Sequence, residues 1–369
     1  MKIELITTNL QKKLSFLSRA ISTKNQLPVL SNILLDATGT SLIISSTDLE
    51  IGIQATIPAT IEEKGSTTVP AKLFTELINS LTDTSLRLET EGSKLTVQTK
   101  RTNSTFQTIA SDEFPKLYEN KGELLAVLSG KAIKKEFSSV IFAASQDTTR
   151  PALSGVLVRK EPQGFLLVST DGYRLSLRHY AVSESKQDSD ASFIIPARVF
   201  RELLAIKDED ADISMYVSEQ HNQVLFEQGD VILIGRLIES EFPKFEKIIP
   251  SDFSVSVSFD RDELQKAVKI CSVFAKDSAN IIKLSLNKDH IMVSSGSSSV
   301  GENSVRVEAK LSGEENEIAF NARYLIDVLG NVDEKNLVFD MIGPLNPGVF
   351  KVENDESFLH LIMPIRVQG

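Results

Sequence analysis

One short stretch of sequence occurs three times, and this repetition restricts the folds that the chain can adopt. Each copy runs from a short apolar segment into apolar residues at helical spacing, which predicts a strand followed by an amphipathic helix. The helices begin at Ala71, Ala197 and Ala322, which lie 126 and 125 residues apart. A chain of 369 residues with such a repeat is expected to contain three similar domains.

Other landmarks repeat at almost the same distance. Thr47-Asp48 returns as Thr170-Asp171 after 123 residues, and residues 113–116 return unchanged as residues 241–244 after 128. Chance matches would not keep such a constant separation, so we interpret them as an internal duplication. The last third carries a fainter version of the same pattern.

The order of the predicted elements defines the fold class. Strand, helix and three strands follow one another twice within about 120 residues, judged from hydrophobic periodicity and turn signals. We therefore predict an α+β fold of three repeated domains, each made of two such units. The expected boundaries are residues 1–121, 122–250 and 251–369.

Composition is that of an ordinary globular protein, with 41% hydrophobic and 24% charged residues. The first residues begin a strand pattern instead of a signal peptide, and no apolar run is long enough for a membrane span, so we expect a cytoplasmic protein. The single cysteine, Cys271, excludes an intrachain disulfide. It is in phase with the apolar residues of a predicted helix and is expected in the core; a reactive thiol is the alternative.

Positive charge is concentrated in the predicted helices, although the whole chain has a net charge of −10. Together the six helical segments carry an excess of nine basic residues, and they are residues 10–24, 71–81, 131–145, 197–207, 262–276 and 322–332. The residue after each repeated alanine is basic, namely Lys72, Arg198 and Arg323, where a cation opposes the helix dipole.

Two interpretations of this charge pattern remain open. Lysine is a good helix former, so its enrichment in helices could be incidental. Alternatively, the six helices share one side of the assembly and present a positive lining to a polyanion. The absence of Trp and the presence of only 5 Tyr provide little for stacking on single strands, so a duplex is favoured.

Known catalytic and cofactor motifs are missing. The sequence contains no phosphate-binding loop and no G-x-S-x-G elbow. The four histidines have no metal-ligand spacing to one another or to Cys271. We therefore predict a protein that is not an enzyme and has no cofactor or metal, although a catalytic site assembled from distant segments is an alternative.

Only the second third continues its Thr-Asp landmark as Gly172-Tyr173-Arg174-Leu175. Asp-Gly favours a tight turn. The aromatic, cationic and apolar residues that follow are typical of interaction hot spots. A plain hairpin is the alternative interpretation. At the end of the chain, Met363-Pro364 closes an apolar strand, and Met suits either an adaptable binding surface or a core.

Taken together, these motifs resemble the bacterial DNA polymerase III beta subunit family, the DNA sliding clamps. The resemblance covers the whole chain and includes residues 27–30, 47–50, 150–153, 170–175, 241–244 and 363–366. It implies three repeated domains, with two chains closing head to tail into a ring that has helices inside and sheets outside. It also implies a non-catalytic processivity factor that encircles double-stranded DNA.

The resemblance also implies roles for individual residues. The family's DNA contacts correspond to Lys24, Lys72, Arg150 and Arg198. The pocket that binds partner peptides corresponds to Leu153, Thr170, Gly172, Tyr173, Arg174, Leu175, Pro243, Lys247, Ile248, Met363, Pro364, Ile365 and Arg366. The homodimer interface corresponds to the strand around Phe106 and the helix near Val273 and Phe274.

This sequence differs from better-known members at several of these positions. Tyr173 stands where a histidine is often found and Lys247 replaces an arginine. Pro151-Ala152 occupy the place of two tyrosines that touch DNA in some members, and Val367-Gln368-Gly369 extend past the usual end. The expected partners are the replicative DNA polymerase catalytic subunit, the clamp loader and other proteins with a clamp-binding motif. A protein-interaction scaffold that does not bind nucleic acid is the alternative.

Overall fold

The computed structural model describes residues 1–21, 27–182, 191–205, 211–297 and 301–366. The chain forms two compact units: unit 1 combines Met1–Gly130 with Arg198–Leu237, and unit 2 combines Lys131–Ala197 with Ile238–Gly369. The middle third of the chain thus contributes to both units. The three domain boundaries expected from the sequence remain a prediction.

Six long helices lie where the sequence predicts them, with different ends. They are α1 (Thr7–Leu17), α2 (Ala71–Ser80), α3 (Gly130–Ile141), α5 (Ala197–Leu204), α6 (Arg261–Ala275) and α7 (Ala322–Asn331), and a short α4 (Pro151–Ser154) was not predicted. The first helix begins three residues before its predicted start, and a 3-10 turn, Ser18–Ala20, follows it. The alanines that begin the three repeated helices are buried, which anchors each helix to the strand before it.

Unit 1 contains one sheet of 12 strands. Its strands are β1 (Lys2–Ile6), β2 (Asn32–Asp36), β3 (Ser41–Thr47), β4 (Ile51–Glu63), β5 (Ser66–Pro70), β6 (Ser85–Glu91), β7 (Lys94–Gln98), β8 (Asn103–Gln107), β9 (Glu123–Leu128), β14 (Ile213–Ser218), β15 (Gln223–Gln228) and β16 (Val231–Arg236). The main order is β8-β7-β6-β1-β4-β16-β15-β14-β9, and β2, β3 and β5 join it through β4.

Unit 2 contains a second sheet of 12 strands. Its strands are β10 (Gly155–Glu161), β11 (Gly164–Thr170), β12 (Arg174–Ala181), β13 (Ser192–Pro196), β17 (Val255–Asp260), β18 (Ile281–Leu286), β19 (His290–Ser297), β20 (Gly301–Gly313), β21 (Asn316–Asn321), β22 (Asn336–Met341), β23 (Gly348–Val352) and β24 (Asp355–Ile362). The order is β13-β10-β11-β12-β24-β23-β22-β17-β20-β19-β18-β21.

A buried serine marks the same place in each third of the chain. The hydroxyl groups of Ser46, Ser169 and Ser295 donate hydrogen bonds of 2.7, 2.5 and 2.5 Å to carbonyls at or near the ends of α1, α3 and α6. These contacts align the three repeats atom by atom, including the faint third repeat.

Cys271 is buried, as its position in the apolar pattern predicts. Burial raises the pKa of its thiol, and Sγ lies 3.2 Å from Asn303 Oδ1. A thiol that is buried and protonated is a poor nucleophile, so the core interpretation of this residue is confirmed.

Candidate functional site

The predicted peptide pocket is organised by the tight turn between β11 and β12. Thr170 Oγ1 donates to Arg174 O at 2.6 Å and accepts from Gly172 N at 3.0 Å. Asp171 Oδ1 accepts from the backbone N–H groups of Tyr173 and Arg174 at 2.9 and 3.1 Å. Gly172 has φ +93, a left-handed conformation that favours glycine. The turn therefore holds Tyr173 outward, with 63% of its surface exposed.

The end of the chain lies beside this turn. Strand β24 pairs with β12, so that Ile362 lies opposite Arg174. Beyond the strand, Met363 N donates to Tyr173 O at 2.8 Å, and Ile365 N donates to Ala319 O at 2.8 Å. Met363 keeps 40% of its surface exposed next to Tyr173. These backbone contacts bring together the residues near 173 and 363 that the sequence analysis assigns to one pocket; their role in binding stays a prediction.

An apolar cluster, which we call the floor of the pocket, includes residues of β12 and β24, the strands next to the two exposed side chains. Leu175 and Leu361 are fully buried in it, together with Phe245. Leu153 is half-buried, whereas Ile248 is exposed over 47% of its surface. The remaining predicted pocket residues Pro243, Lys247, Pro364 and Arg366 are exposed or half-buried. An apolar floor with an exposed aromatic and a flexible Met is a surface suited to binding an extended peptide.

Arg174 differs from the other cationic residues of the predicted pocket, Lys247 and Arg366, because its side chain is only 9% exposed. Its guanidinium donates to Asp327 Oδ2 at 2.6 Å, Asp171 Oδ2 at 3.1 Å and the Phe142 carbonyl at 3.0 Å. The guanidinium also lies over the Tyr324 ring, 4.6 Å from its centroid. The pKa of Tyr324 is raised, first by burial and second by the negative charge of Asp171. Arg174 thus braces the turn against α7 from below.

A second buried arginine lies on the same face of β12. Arg178 is 4% exposed and binds Glu136, with Asp355 at 3.5 Å and Glu334 at 3.8 Å. Burial alone would raise the pKa of Glu334, because it opposes ionisation. The hydrogen bond with Lys135 is one of the interactions that act in the opposite direction, and the pKa is lowered overall. The sequence analysis did not identify this cluster, because its members come from distant segments.

His360 lies on β24 between the two buried arginines. It is completely buried, and its ring centroid is 5.1 Å from that of Phe142. Within the described residues neither ring nitrogen has a hydrogen-bond partner. Burial, assisted by the charge of Arg174, holds the pKa of His360 well below its ordinary value. The ring is therefore neutral at physiological pH.

The predicted DNA contacts fall into different environments. Lys72 and Arg150 are exposed, at the start of α2 and just before α4. Arg198 is half-buried, and its guanidinium binds Asp48 Oδ2 at 2.6 Å and donates to Arg19 O at 3.2 Å. Lys24 lies outside the described residues. The cations of the helices are therefore not all available to a ligand, because Arg198 forms an ion pair with Asp48.

The predicted dimer contacts are half-buried or exposed within their own units. Phe106 on β8 is half-buried and packs edge to face on Phe74, with centroids 5.8 Å apart. Val273 and Ile270 on α6 expose 62% and 49% of their surface, and Phe274 is half-buried. Apolar side chains exposed in this way are frequent at protein interfaces.

The described residues contain no group of three or more His, Cys, Asp or Glu side chains that would hold a metal ion. None of the helices in the described ranges is long and apolar enough to cross a membrane.

Three family models match successive segments of the chain. The N-terminal, central and C-terminal domains of the DNA polymerase III beta subunit match residues 1–118, 127–244 and 246–366. A "Beta sliding clamp" of Synechococcus elongatus is 30% identical over 377 residues, covering 100% of both chains. One of Staphylococcus aureus is 30% identical over 360 residues, covering 94% of each.

Solved structures are similar over the full length. The DNA polymerase sliding clamp of Bacillus subtilis has a TM-score of 0.95 and 25% identity, and covers 100% of both chains. The beta subunit from DNA polymerase of Streptococcus pyogenes has a TM-score of 0.93 and 26% identity, with the same coverage.

These likenesses identify a three-domain DNA clamp fold of the α+β class, as the sequence predicted. The chain belongs to the DNA polymerase III beta subunit family, the bacterial beta sliding clamps. Its place is in DNA replication, and the alternative of a scaffold that does not bind nucleic acid is not favoured.

Proposed function

We propose that two copies of the chain close head to tail into a ring around duplex DNA and tether the replicative polymerase. The observation that carries this proposal is a strand junction that occurs twice inside the chain. Strand β16 pairs with the first half of β4 within unit 1, and β24 pairs with β12 within unit 2. The third copy of this junction lacks a partner strand within the described residues.

The unpaired edges are those that a third junction needs. Residues 301–308 of β20 pair only with β19, and β8 pairs only with β7 among the described strands. Unpaired strand edges readily accept another strand. Pairing β8 of one copy with β20 of the other satisfies both edges and, repeated twice, closes a ring with two-fold symmetry.

The internal junctions also define the register of this pairing. Leu233 lies opposite Ile53, and His360 lies opposite Ser176. Each of the three aligned serines has a partner on the next strand: Ser46 pairs with Ile53, Ser169 with Ser176 and Ser295 with Asn303. Asn303 is therefore the third counterpart of Ile53 and Ser176. The separation of 128 residues between the Glu-Phe-Pro-Lys landmarks relates Leu233 to Thr105. Thr105 of one copy is therefore expected opposite Asn303 of the other.

Side chains beside the open edges fit this arrangement. In the proposed register Phe106 lies opposite Glu302, close to the exposed face of α6 that carries Val273 and Phe274. A cavity of about 710 Å³ lies beside the open edge of β20 and is lined by Ser278, Ile281, Glu302 and Ser304 among others. Side chains from β8 of the second copy, Phe106 among them, would fill it.

The ring would bind DNA through its phosphates. Lys72 and Arg150 are exposed cations on or next to helices, and we assign them phosphate contacts together with Arg198 and Lys24. Such contacts are sequence-independent and depend on salt, which permits sliding. Arg198 joins them if a phosphate replaces Asp48 as its partner. The three domains of this ring would be residues 1–121, 122–250 and 251–369.

The pocket around Tyr173 and Met363 would bind peptides of the polymerase, the clamp loader and other partners. Its apolar floor supplies affinity, and the exposed side chain of Arg366 offers a polar contact. Binding at this pocket raises the effective concentration of a polymerase at the DNA, which is the basis of processivity. We propose no catalytic step for the protein, and we propose that it acts in the cytoplasm.

Topological enclosure is tested by trapping the protein on DNA. Linear duplex DNA is incubated with the protein, and its ends are then ligated into a circle before gel filtration. A ring cannot leave the circle, so the protein should co-elute with circular DNA and dissociate from unligated DNA. Equal retention on both forms would contradict enclosure.

The peptide pocket is tested separately with a fluorescent peptide from the tail of a replicative polymerase. The substitutions Tyr173→Ala and Met363→Ala remove the two exposed contacts and should abolish binding while the protein remains a dimer. Leu73→Ala removes an apolar side chain that is 59% exposed on α2 of unit 1 and is not a predicted pocket residue, so it serves as the matched control. Unchanged peptide binding by the pocket variants would refute the assignment.

A further inference from the structure

A cavity of about 250 Å³ in unit 1 has no role in the proposed function. It lies where the turn between β3 and β4 meets the end of β16 and the segment around Leu117. Its lining includes Leu49, Glu50, Lys116, His221 and Arg236.

This cavity occupies the same position at the first strand junction as the peptide pocket does at the second. Thr47 Oγ1 donates to Ile51 O at 2.8 Å and accepts from Leu49 N at 3.0 Å, the same two bonds that Thr170 makes. Arg236 N donates to Glu50 O at 3.0 Å, as Met363 N donates to Tyr173 O. The chain therefore forms the same backbone arrangement twice, around residues 47–51 and around residues 170–174, and we call each of them a cradle.

The side chains of the two cradles differ in chemistry. Glu50 stands in the place of Tyr173, Gly52 in the place of Leu175, and Arg236 in the place of Met363. A side chain at position 52 would have little room, because a Cβ added to Gly52 would lie only 3.2 Å from Leu117 Cδ2. The first cradle is thus a polar opening above a small apolar base.

Positive groups dominate the opening. Lys116 and Arg236 are exposed and His221 is half-buried, and within the described residues none of the three forms a salt bridge. Glu50 is the only acidic residue in the lining, and it lies 3.7 Å from the guanidinium of Arg198. A carboxylate entering the cavity would meet two cations that have no competing internal partner.

Leu49 supports a binding role for this opening. It has φ +77 where the equivalent turn has Gly172, and 53% of its surface is exposed. A left-handed conformation is unfavourable for leucine, and the exposed side chain recovers little by packing within the chain. Strain of this kind is typical of functional sites, and the leucine forms an apolar rim beside the cations.

We propose that this cavity binds an acidic segment of a partner protein as an extended peptide. Carboxylates of the segment would bind Lys116 and Arg236, and its aliphatic carbons would cover Leu49 and Leu117. A peptide is favoured over a small anion because the cavity exceeds a single phosphate in size and has an apolar base. The inference rests on the proposed function only in taking the second cradle as a peptide site.

The test uses the full chain and fluorescein-labelled hexaglutamate, followed by fluorescence anisotropy at low ionic strength. Hexaglutamine is the uncharged counterpart and should not bind. Arg236→Gln and Lys116→Gln should each weaken hexaglutamate binding about tenfold, because each removes a charge-assisted hydrogen bond. Lys244→Gln, at the repeat counterpart of Lys116, and Lys72→Gln should leave it unchanged.

Several outcomes would overturn the proposal. Unchanged affinity in the Arg236 and Lys116 variants would show that hexaglutamate binds elsewhere, and weaker binding in the Lys72 variant would locate it on the helices. Displacement of hexaglutamate by inorganic phosphate at equal charge concentration would identify a small-anion site instead. Tyr173→Ala should retain hexaglutamate binding, so that failure of the proposed peptide pocket is distinguished from failure of this site.

A second readout reports directly on the cavity. The protein contains 4 histidines, so their imidazole proton resonances can be followed individually by NMR and assigned with a His221→Asn variant. Hexaglutamate should shift the His221 resonance and leave that of His179 in place. Binding without a shift at His221 would refute the assignment.

Discussion

Arg174 shows how one buried cation organises the predicted peptide pocket without being exposed to it. Its guanidinium holds Asp171 of the turn and Asp327 of α7 together. Arg174→Met should destabilise unit 2 by about 3 kcal/mol, because partly buried carboxylates and a carbonyl lose their partner. Arg159→Met, which removes an exposed pair with Glu246, should cost no more than about 1 kcal/mol. Urea unfolding followed by hydrogen exchange of β12 amides measures both, and equal costs would contradict a bracing role.

His360 gives unit 2 a dependence on pH. Its folded-state pKa lies well below the ordinary value because of burial, so only the unfolded chain takes up this proton as the pH falls. The contribution of the neutral His360 ring to the free energy of unfolding should be complete above about pH 6.5. Below that pH the free energy of unfolding should decrease, by up to about 1.4 kcal/mol per pH unit. His360→Phe should flatten this dependence between about pH 6.5 and pH 5. Parallel curves for both proteins in thermal unfolding would exclude His360 as the cause.

Several residues of the candidate site could be predicted because their signals are local. The Thr-Asp-Gly sequence identifies the turn, and the side chain after it is exposed as expected. The buried arginines could not be assigned their roles in this way. The partners of Arg178 come from α3, β24 and a loop, and no sequence spacing connects those segments. The left-handed Leu49 is likewise invisible in sequence, since leucine gives no turn signal.

Among the elements, strand β8 and helix α6 carry the prediction of dimerisation. Phe106→Glu or Val273→Glu would place a carboxylate in the proposed interface, where it would lose water without gaining a partner. Each variant should sediment as a monomer at micromolar concentration, whereas the unchanged protein should sediment as a dimer. Leu345→Glu alters an equally exposed apolar residue elsewhere and should remain dimeric. A dimer in all three variants would exclude this interface.

The helices and most strands follow from periodicity, but their pairing across the repeats does not. The pattern correctly predicts the strand before each repeated helix and the hairpin of β18 and β19. It does not reveal that β4 continues for 13 residues and pairs with β16, nearly two hundred residues away in sequence. Alternating apolar residues define which face of a strand is buried, whereas its neighbours depend on long-range register.

At the level of the whole molecule, the repeat explains why the described strands of one chain form two completed junctions and leave a third open. Each compact unit contains a continuous sheet formed by strands from two thirds of the chain. A chain of three equivalent domains has two internal junctions and leaves one free edge of each kind. Pairing β8 of each chain with β20 of the other completes the third kind of junction, so the assembly can be closed without any strand specialised for closure.

A closed ring holds DNA by enclosure, and this predicts that affinity and residence respond differently to loss of charge. Replacing both Lys72 and Arg150 by Gln should weaken direct binding to short linear duplex. The slope of log K against log salt concentration should decrease by about 0.9 for each lost phosphate contact. Residence on ligated circles should remain unchanged, because leaving requires opening of the ring instead of release of phosphates. Anisotropy titrations over a range of salt measure the first quantity and gel filtration of trapped complexes the second. If residence fell in proportion to affinity, the contacts and not the enclosure would hold the protein on DNA.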